Sequence, residues 1–245
     1  MNAARQLARR AQTVRHRLNT NWNAIRGIVT RMNPSVDVKL LTGNEAFAVE
    51  IDEHIRVDVS PIRFYLPERA MRPAPNLHVV IDGWIEFDGT VDTLRTTQFG
   101  TRVAYVRAKP PRFEHIYGTH YDQSKDDLGH PVFHAQMRSM IGSMEELTSG
   151  IPGCDDEALE DRVKPILSNV RTPTPQMDFF SAVEQICADH LLWEGSEDEA
   201  LRAFGELRKH CSFFTGSGHL MDRFAAEMAN CCRSTHWYKP RVTDS

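Results

Sequence analysis

Between Leu7 and Met32 the apolar positions Leu7, Ala11, Val14, Leu18, Trp22, Ile25, Val29 and Met32 recur at steps of three and four, which places them on one face of a helix. Asn33-Pro34 ends that helix, because proline disfavours helical geometry in the residue before it. Such a stripe either docks on the chain's own sheet or forms a seam for a partner.

From Val36 to Met137 the pattern changes to β-branched and aromatic runs separated by turn residues. Val36 to Leu41 and Ala46 to Ile51 flank Thr42-Gly43-Asn44, which predicts a hairpin. Leu77 to Phe87 and Thr90 to Phe99 flank Asp88-Gly89, the strongest short hairpin signal in the chain, since both turn residues tolerate positive φ. Val103 to Ala108 reads as a further strand, and Phe113 to Asp122 with Val132 to Met137 as a last hairpin. Sequential pairing of this kind implies an antiparallel meander. Pro67 to Pro75 reads as a surface loop.

Beyond Arg138 the pattern is helical. Helices are expected over Asp155 to Val170, Met177 to Trp193, Ser196 to Cys211 and Gly218 to Ser234, with Thr172-Pro173-Thr174-Pro175 as a linker. Ser196 and Glu199 are spaced as a capping box. The expected class is therefore α+β: an amphipathic helix over 1–33, a mainly antiparallel sheet of about six to eight strands over 34–140, and a helical region over 141–245.

Charge changes this picture more than composition does. Seven of the 29 basic residues (Arg5, Arg9, Arg10, Arg15, Arg17, Arg26 and Arg31) and none of the 33 acidic ones fall within residues 1–33, leaving the remainder at −11. A basic first helix on an acidic chain is expected to meet something negative: a nucleic acid, a protein partner or the chain's own body. No apolar run is long enough to cross a bilayer. Five cysteines, an odd and sparse set, fit reduced thiols in a cytoplasmic protein better than a disulfide framework.

Candidate chemistry concentrates in the last hairpin, where His115, His120, His130 and His134 fall within twenty residues. Alternate residues of a strand share a face, so His130, His134 and Gln136 point together, as do Glu114, His120 and Asp122. With a suitable register the two sets converge. His120, His130 and His134 would then serve as general acid and base, with Tyr117, Tyr121 or Lys125 stabilising charge, as metal-independent RNA cleavage requires. Alternatively, His120, Asp122, His130 and His134 form a ligand set for zinc or another divalent ion. Sheet histidines bonding to one another across strands account for the same pattern without chemistry.

A second ligand set, His210-Cys211 with Cys231-Cys232 and His236, lacks the usual Cys-x-x-Cys knuckle. No Gly-x-Ser-x-Gly elbow exists, and Thr215-Gly-Ser-Gly218 lacks the lysine of a phosphate loop. Asp189-His190, on an otherwise core-like helix, offers a polar contact and no triad.

The segment from Phe113 to Asp122, with its turn and His130-Pro-Val-Phe-His134, resembles the histidine-rich hairpins of small bacterial toxin-antitoxin and phage-defence proteins. The resemblance covers about twenty residues and implies a bacterial accessory protein. The reading that asks least of the hairpin is a non-catalytic subunit of such an assembly. It would have a protein partner or a second copy of itself, and contact nucleic acid through the first helix.

Overall fold

The computed structural model describes residues 2–52, 54–66, 77–88, 94–109, 112–123, 133–138, 154–155, 171–174, 176–192 and 196–212. In chain order these form α1 (Asn2–Met32), β1 (Asp37–Leu40), β2 (Phe47–Ile51), β3 (Ile55–Leu66), β4 (Leu77–Asp88), β5 (Arg95–Lys109), β6 (Arg112–Gln123), β7 (Phe133–Arg138), β8 (Cys154–Asp155), β9 (Arg171–Pro173), α2 (Phe179–Leu191) and α3 (Asp198–Ser212). The fold is α+β. Among the described residues nine strands make one sheet, with β1-β3-β4-β5-β6-β7-β9 as its main path, β2 also on β3, and β8 on β6.

α1 docks on this sheet. Val14, Leu18, Trp22, Ile25, Ile28, Val29 and Met32 are buried in one cluster with β3, β4, α2 and α3, while Leu7, toward the start of the helix, stays 42% exposed. The stripe seen in the sequence is thus the inner face of a docked helix from Val14 onward. Trp22 lies at its centre, with ring contacts to Phe47, Phe64 and Phe179.

The expected hairpin at Thr42-Gly43-Asn44 does not form. β1 and β2 both pair antiparallel with β3, end to end, through Val38↔Phe64 and Val49↔Val57. The cause lies at a bulge in β3, where Pro61 has no N–H to continue a ladder. There the Pro61 carbonyl accepts from Leu41 N–H, and Ser60 N–H donates to the Ala46 carbonyl, each at 2.9 Å, so residues 41–46 bridge the interruption.

The β4–β5 hairpin forms, but not around a tight Asp88-Gly89 turn. Its register is Asp88↔Arg95, and Gly89 itself lies outside the described residues. The strands expected at Thr90–Phe99 and Val103–Ala108 are consequently one strand, β5.

Three boundaries in the last third also differ. The Thr172-Pro173 linker is edge strand β9, paired with β7 through Ala135↔Thr172, because the extended backbone that proline favours suits an edge. Asp155, expected to open a helix, pairs with Glu114 in β8. α3 begins at Asp198, two residues after Ser196. The Pro67–Pro75 loop, residues 156–170 and the Gly218–Ser234 helix lie outside the described residues. No helix among the described residues is long and apolar enough to cross a membrane.

Candidate functional site

The sheet face turned away from α1 is where His120 and His134 lie. Residues paired across antiparallel strands project on the same side, and Asp82↔Arg102, Arg102↔His120 and His120↔Gln136 continue one another through β4, β5, β6 and β7. The adjacent row runs Trp84, Gly100, Asp122 and His134. Together the rows gather a polar group on one face.

Asp122 stands between two imidazoles. Its Oδ1 is 2.7 Å from His134 Nε2 and its Oδ2 is 3.6 Å from His120 Nε2. His134 is only 2% exposed, whereas the His120 and Asp122 side chains are 24% and 30% exposed. Arg102 clasps Asp82, which is 4% exposed, through Nε to Oδ1 at 2.8 Å and Nη2 to Oδ2 at 2.6 Å. Such a bidentate pair fixes both groups. Trp84 lies over Gly100, where an added Cβ would be 2.6 Å from its Nε1, and Arg56 stacks on the same indole at 4.7 Å.

Of the hairpin set, the register therefore brings together His120, Asp122, His134 and Gln136. Tyr121 is on the opposite face of β6 and packs against the helix-side core. His130 and Lys125 lie outside the described residues, as do the side chains of Glu114, His115 and Tyr117. Among the described residues no group of three or more His, Cys, Asp or Glu is placed to hold a metal ion. Asp122 is turned toward the two imidazoles, each of which meets one of its oxygens, instead of converging with them on a shared point.

Asp82 and Arg102 are the members that the hairpin alone does not reveal. Their signal is a lone carboxylate inside the apolar run Leu77–Ile85, since a buried acid is rare without a partner. Farther along this face His78 is buried against Tyr65, with ring centroids 5.1 Å apart. Burial, reinforced by the Arg63 guanidinium, lowers its pKa to about 4. The folded protein thus keeps His78 neutral where the unfolded chain takes up a proton. Its contribution is complete above pH ~6.5 and is lost as the pH falls toward ~4, an effect of roughly 2–3 kcal/mol. Urea unfolding of wild type and His78→Gln across that range should show a steeper acid-side loss for the wild type. Parallel profiles would refute the assignment.

The second ligand set does not assemble from its described half. Cys211 faces inward, 2% exposed, while His210 faces a surface groove. Burial pushes the Cys187 thiol up to about 12 and the Cys211 thiol well above its ordinary range, so both are inert core residues. Cys231, Cys232, His236 and Thr215-Gly-Ser-Gly218 lie outside the described residues. His190 packs on Tyr105, with Nε2 3.5 Å from its hydroxyl, and Asp189 is exposed. Asp178 caps α2 instead, accepting the Ser181 N–H at 2.9 Å.

The outer surface of α1 is the other candidate. Arg15 pairs with Glu45 at 3.2 Å and Arg31 with Glu206, while Arg10 and Arg17 are half-buried. Arg5, Arg9 and Arg26 are exposed, and among the described residues no acid pairs with them. At the spacing of one helix face, Arg5, Arg9, Gln12, His16, Asn19, Asn23, Arg26 and Thr30 form a ridge without a carboxylate.

No family model matches the chain, and neither a curated protein nor a solved structure matches it.

Proposed function

We propose that this chain is a non-catalytic interaction protein that holds a nucleic-acid backbone along the exposed ridge of α1. The observation that carries this reading is the ridge itself: 31 residues of helix without an acid, anchored by their apolar side, presenting arginines and amide, imidazole and hydroxyl groups outward. At 1.5 Å per residue the helix is about 46 Å long. Arginines and neutral hydrogen-bonding side chains are the groups that take phosphate and sugar contacts, and the −11 of the remaining chain disfavours the same ligand elsewhere.

The test is fluorescence anisotropy with single-stranded and duplex oligonucleotides across salt. Log affinity should fall linearly with log salt. The triple variant Arg5→Gln/Arg9→Gln/Arg26→Gln should lower the slope by about 2–3, and three phosphate contacts correspond to a loss of roughly fortyfold between about 50 and 200 mM salt. Equal slopes for variant and wild type, or no binding at low salt, would remove the proposal.

A second reading belongs to the Asp122–His134 contact, whose 2.7 Å separation places a carboxylate beside an imidazole, the residue types of general acid–base chemistry. Incubation of a single-stranded RNA in chelator separates the two. Cleavage by wild type but not by His120→Ala or His134→Ala would favour catalysis, and intact RNA favours binding alone.

A further inference from the structure

The segment that replaces the expected hairpin at Thr42-Gly43-Asn44 also shapes the surface beside α1. Leu40, Asn44, Glu45 and Ala46 form one wall of a groove of about 360 Å³, and α1 forms the other. On the helix side the groove takes in Gln12, Asn19, Asn23 and Arg26, all members of the exposed ridge. The middle of the ridge therefore opens into a pocket whose far wall carries a carboxylate.

That wall is held in place. Gly43 turns the chain with a φ of 69°, which glycine adopts without strain. Past the turn, the Glu45 carbonyl accepts from the Ser60 hydroxyl at 3.0 Å and the Ala46 carbonyl from Ser60 N–H at 2.9 Å. Arg15 ties the wall to the helix, its Nη1 3.2 Å from Glu45 Oε2. Both side chains are about half exposed and keep bonding capacity, since a carboxylate accepts at both oxygens and a guanidinium donates from several N–H groups. Among the described residues the amides of Gln12, Asn23 and Asn44 make no hydrogen bond, and Asn19 uses only its Nδ2, on the Arg15 carbonyl at 3.0 Å.

This lining does not suit a phosphate, which Glu45 would repel. It suits the edge of a base: carboxylates accept from exocyclic amines, amides both donate and accept, and unpaired bases are read along their pairing edges. We infer that the groove seats an unpaired guanine base, in a strand that the ridge holds or in a free nucleotide. Guanine alone among the standard bases sets two donors side by side on that edge, N1–H and the 2-amino group, with the O6 acceptor next to them. Glu45 accepts from the two donors and Arg15, beside it, donates to O6. Adenine and cytosine offer the carboxylate an amino group only, and uracil a ring N–H only, so each forgoes a contact. Arg26 lines the same groove and is the residue for the adjoining phosphate. The volume is within the range of small-ligand sites. The inference rests on the nucleic-acid reading of α1 and names the base that the same surface selects.

The experiment follows anisotropy of fluorescent oligouridine strands with the full chain, the strands differing at one central position: guanosine, inosine, adenosine or uridine. Inosine is guanosine without the 2-amino group, so that pair isolates one hydrogen bond and leaves the protein unaltered. The guanosine strand should bind about tenfold more tightly than the inosine strand, the size of one hydrogen bond to a charged group. Glu45→Gln, at an exposed position, should bring the two together. Pairing the guanosine in a duplex should also remove its advantage, because the edge is then occupied. Arg5→Gln/Arg9→Gln, outside the groove, should weaken every strand and keep the ratio.

Equal affinity of the guanosine and inosine strands, or a difference that survives Glu45→Gln or duplex formation, overturns the inference even if the ridge still binds nucleic acid. Guanosine and inosine monophosphates supply an arm that does not depend on the ridge. A Glu45-dependent preference for guanosine monophosphate, without binding of any strand, would sink the ridge and leave the groove as a site for the free nucleotide. A preference confined to the strands would identify the strand as the ligand, and no binding in either arm overturns both readings.

Discussion

Trp22→Ala should destabilise the protein by about 3–5 kcal/mol, the cost of removing a large aromatic side chain from a core that relaxes only in part. Trp22 is 3% exposed and joins three elements distant in sequence: its ring centroid is 6.5 Å from Phe47 in β2, 6.4 Å from Phe64 in β3 and 5.6 Å from Phe179 in α2. Phe179 in turn packs edge-on against Phe47 at 5.8 Å. Deleting the indole leaves a void lined by three rings, none of which can fill it without leaving the others. Leu7→Ala, on the same helical stripe but 42% exposed, should change stability by less than about 0.5 kcal/mol. Urea midpoints at constant m-value decide the matter. A loss below about 1 kcal/mol for Trp22→Ala would mean that α1 is not anchored as described, and the orientation of the basic ridge would fall with it.

That contrast shows how far periodicity carries. The three-and-four spacing from Leu7 to Met32 identifies the helix and its apolar face, because a helix repeats by itself and needs no knowledge of what it packs on. Where docking begins depends on the extent of the sheet, and nothing local to Leu7 reports that. Turn chemistry is similarly local. It favours a hairpin at Thr42-Gly43-Asn44 and a tight turn at Asp88-Gly89, but strand pairing is chosen by the best ladder available to the whole chain. A twelve-residue β3 interrupted at Pro61 offers two ladders, and β1 and β2 take one each.

The alternation rule selects Glu114, His120 and Asp122 on one strand and His130, His134 and Gln136 on the other as residues able to meet, and the pairings Asp122↔His134 and His120↔Gln136 bring four of the six together. What alternation leaves open is register, since a slip of one residue would put these groups on opposite faces. It is silent on Asp82 and Arg102, which belong to strands outside the hairpin. The Asn21–His210 hydrogen bond that ties α1 to α3 is less legible still: the two residues are 189 apart in the chain, and neither the basic first helix nor the isolated His210-Cys211 pair points to the other.

Gly83→Ala should cost about 4 kcal/mol, because the position fails a side chain in two ways at once. Its φ of 153° is open to glycine and strained for other residues, and a Cβ there would lie 2.1 Å from the Gly100 carbonyl oxygen and 3.0 Å from the Thr101 Cα. Both obstacles are backbone, so no rotamer change relieves them, and overpacking adds to the conformational strain. Gly27→Ala, in α1 with nothing within 4 Å of its Cβ, should instead stabilise by about 0.5–1 kcal/mol. The two alanines thus test opposite signs of one substitution.

The Gly83 variant should also disturb the polar face. Gly83 pairs with Thr101 and sits between Asp82 and Trp84, the β4 members of the two rows that end at Gln136 and His134. Separating β4 from β5 there would loosen the Arg102 clasp on Asp82 and lift Trp84 from Gly100. Near-UV circular dichroism and tryptophan fluorescence should therefore change at denaturant concentrations where far-UV signal is still native. A Gly83→Ala protein with wild-type stability and unchanged tryptophan signals would show that the strands do not approach this closely, and the alignment of the polar rows would have to be redrawn.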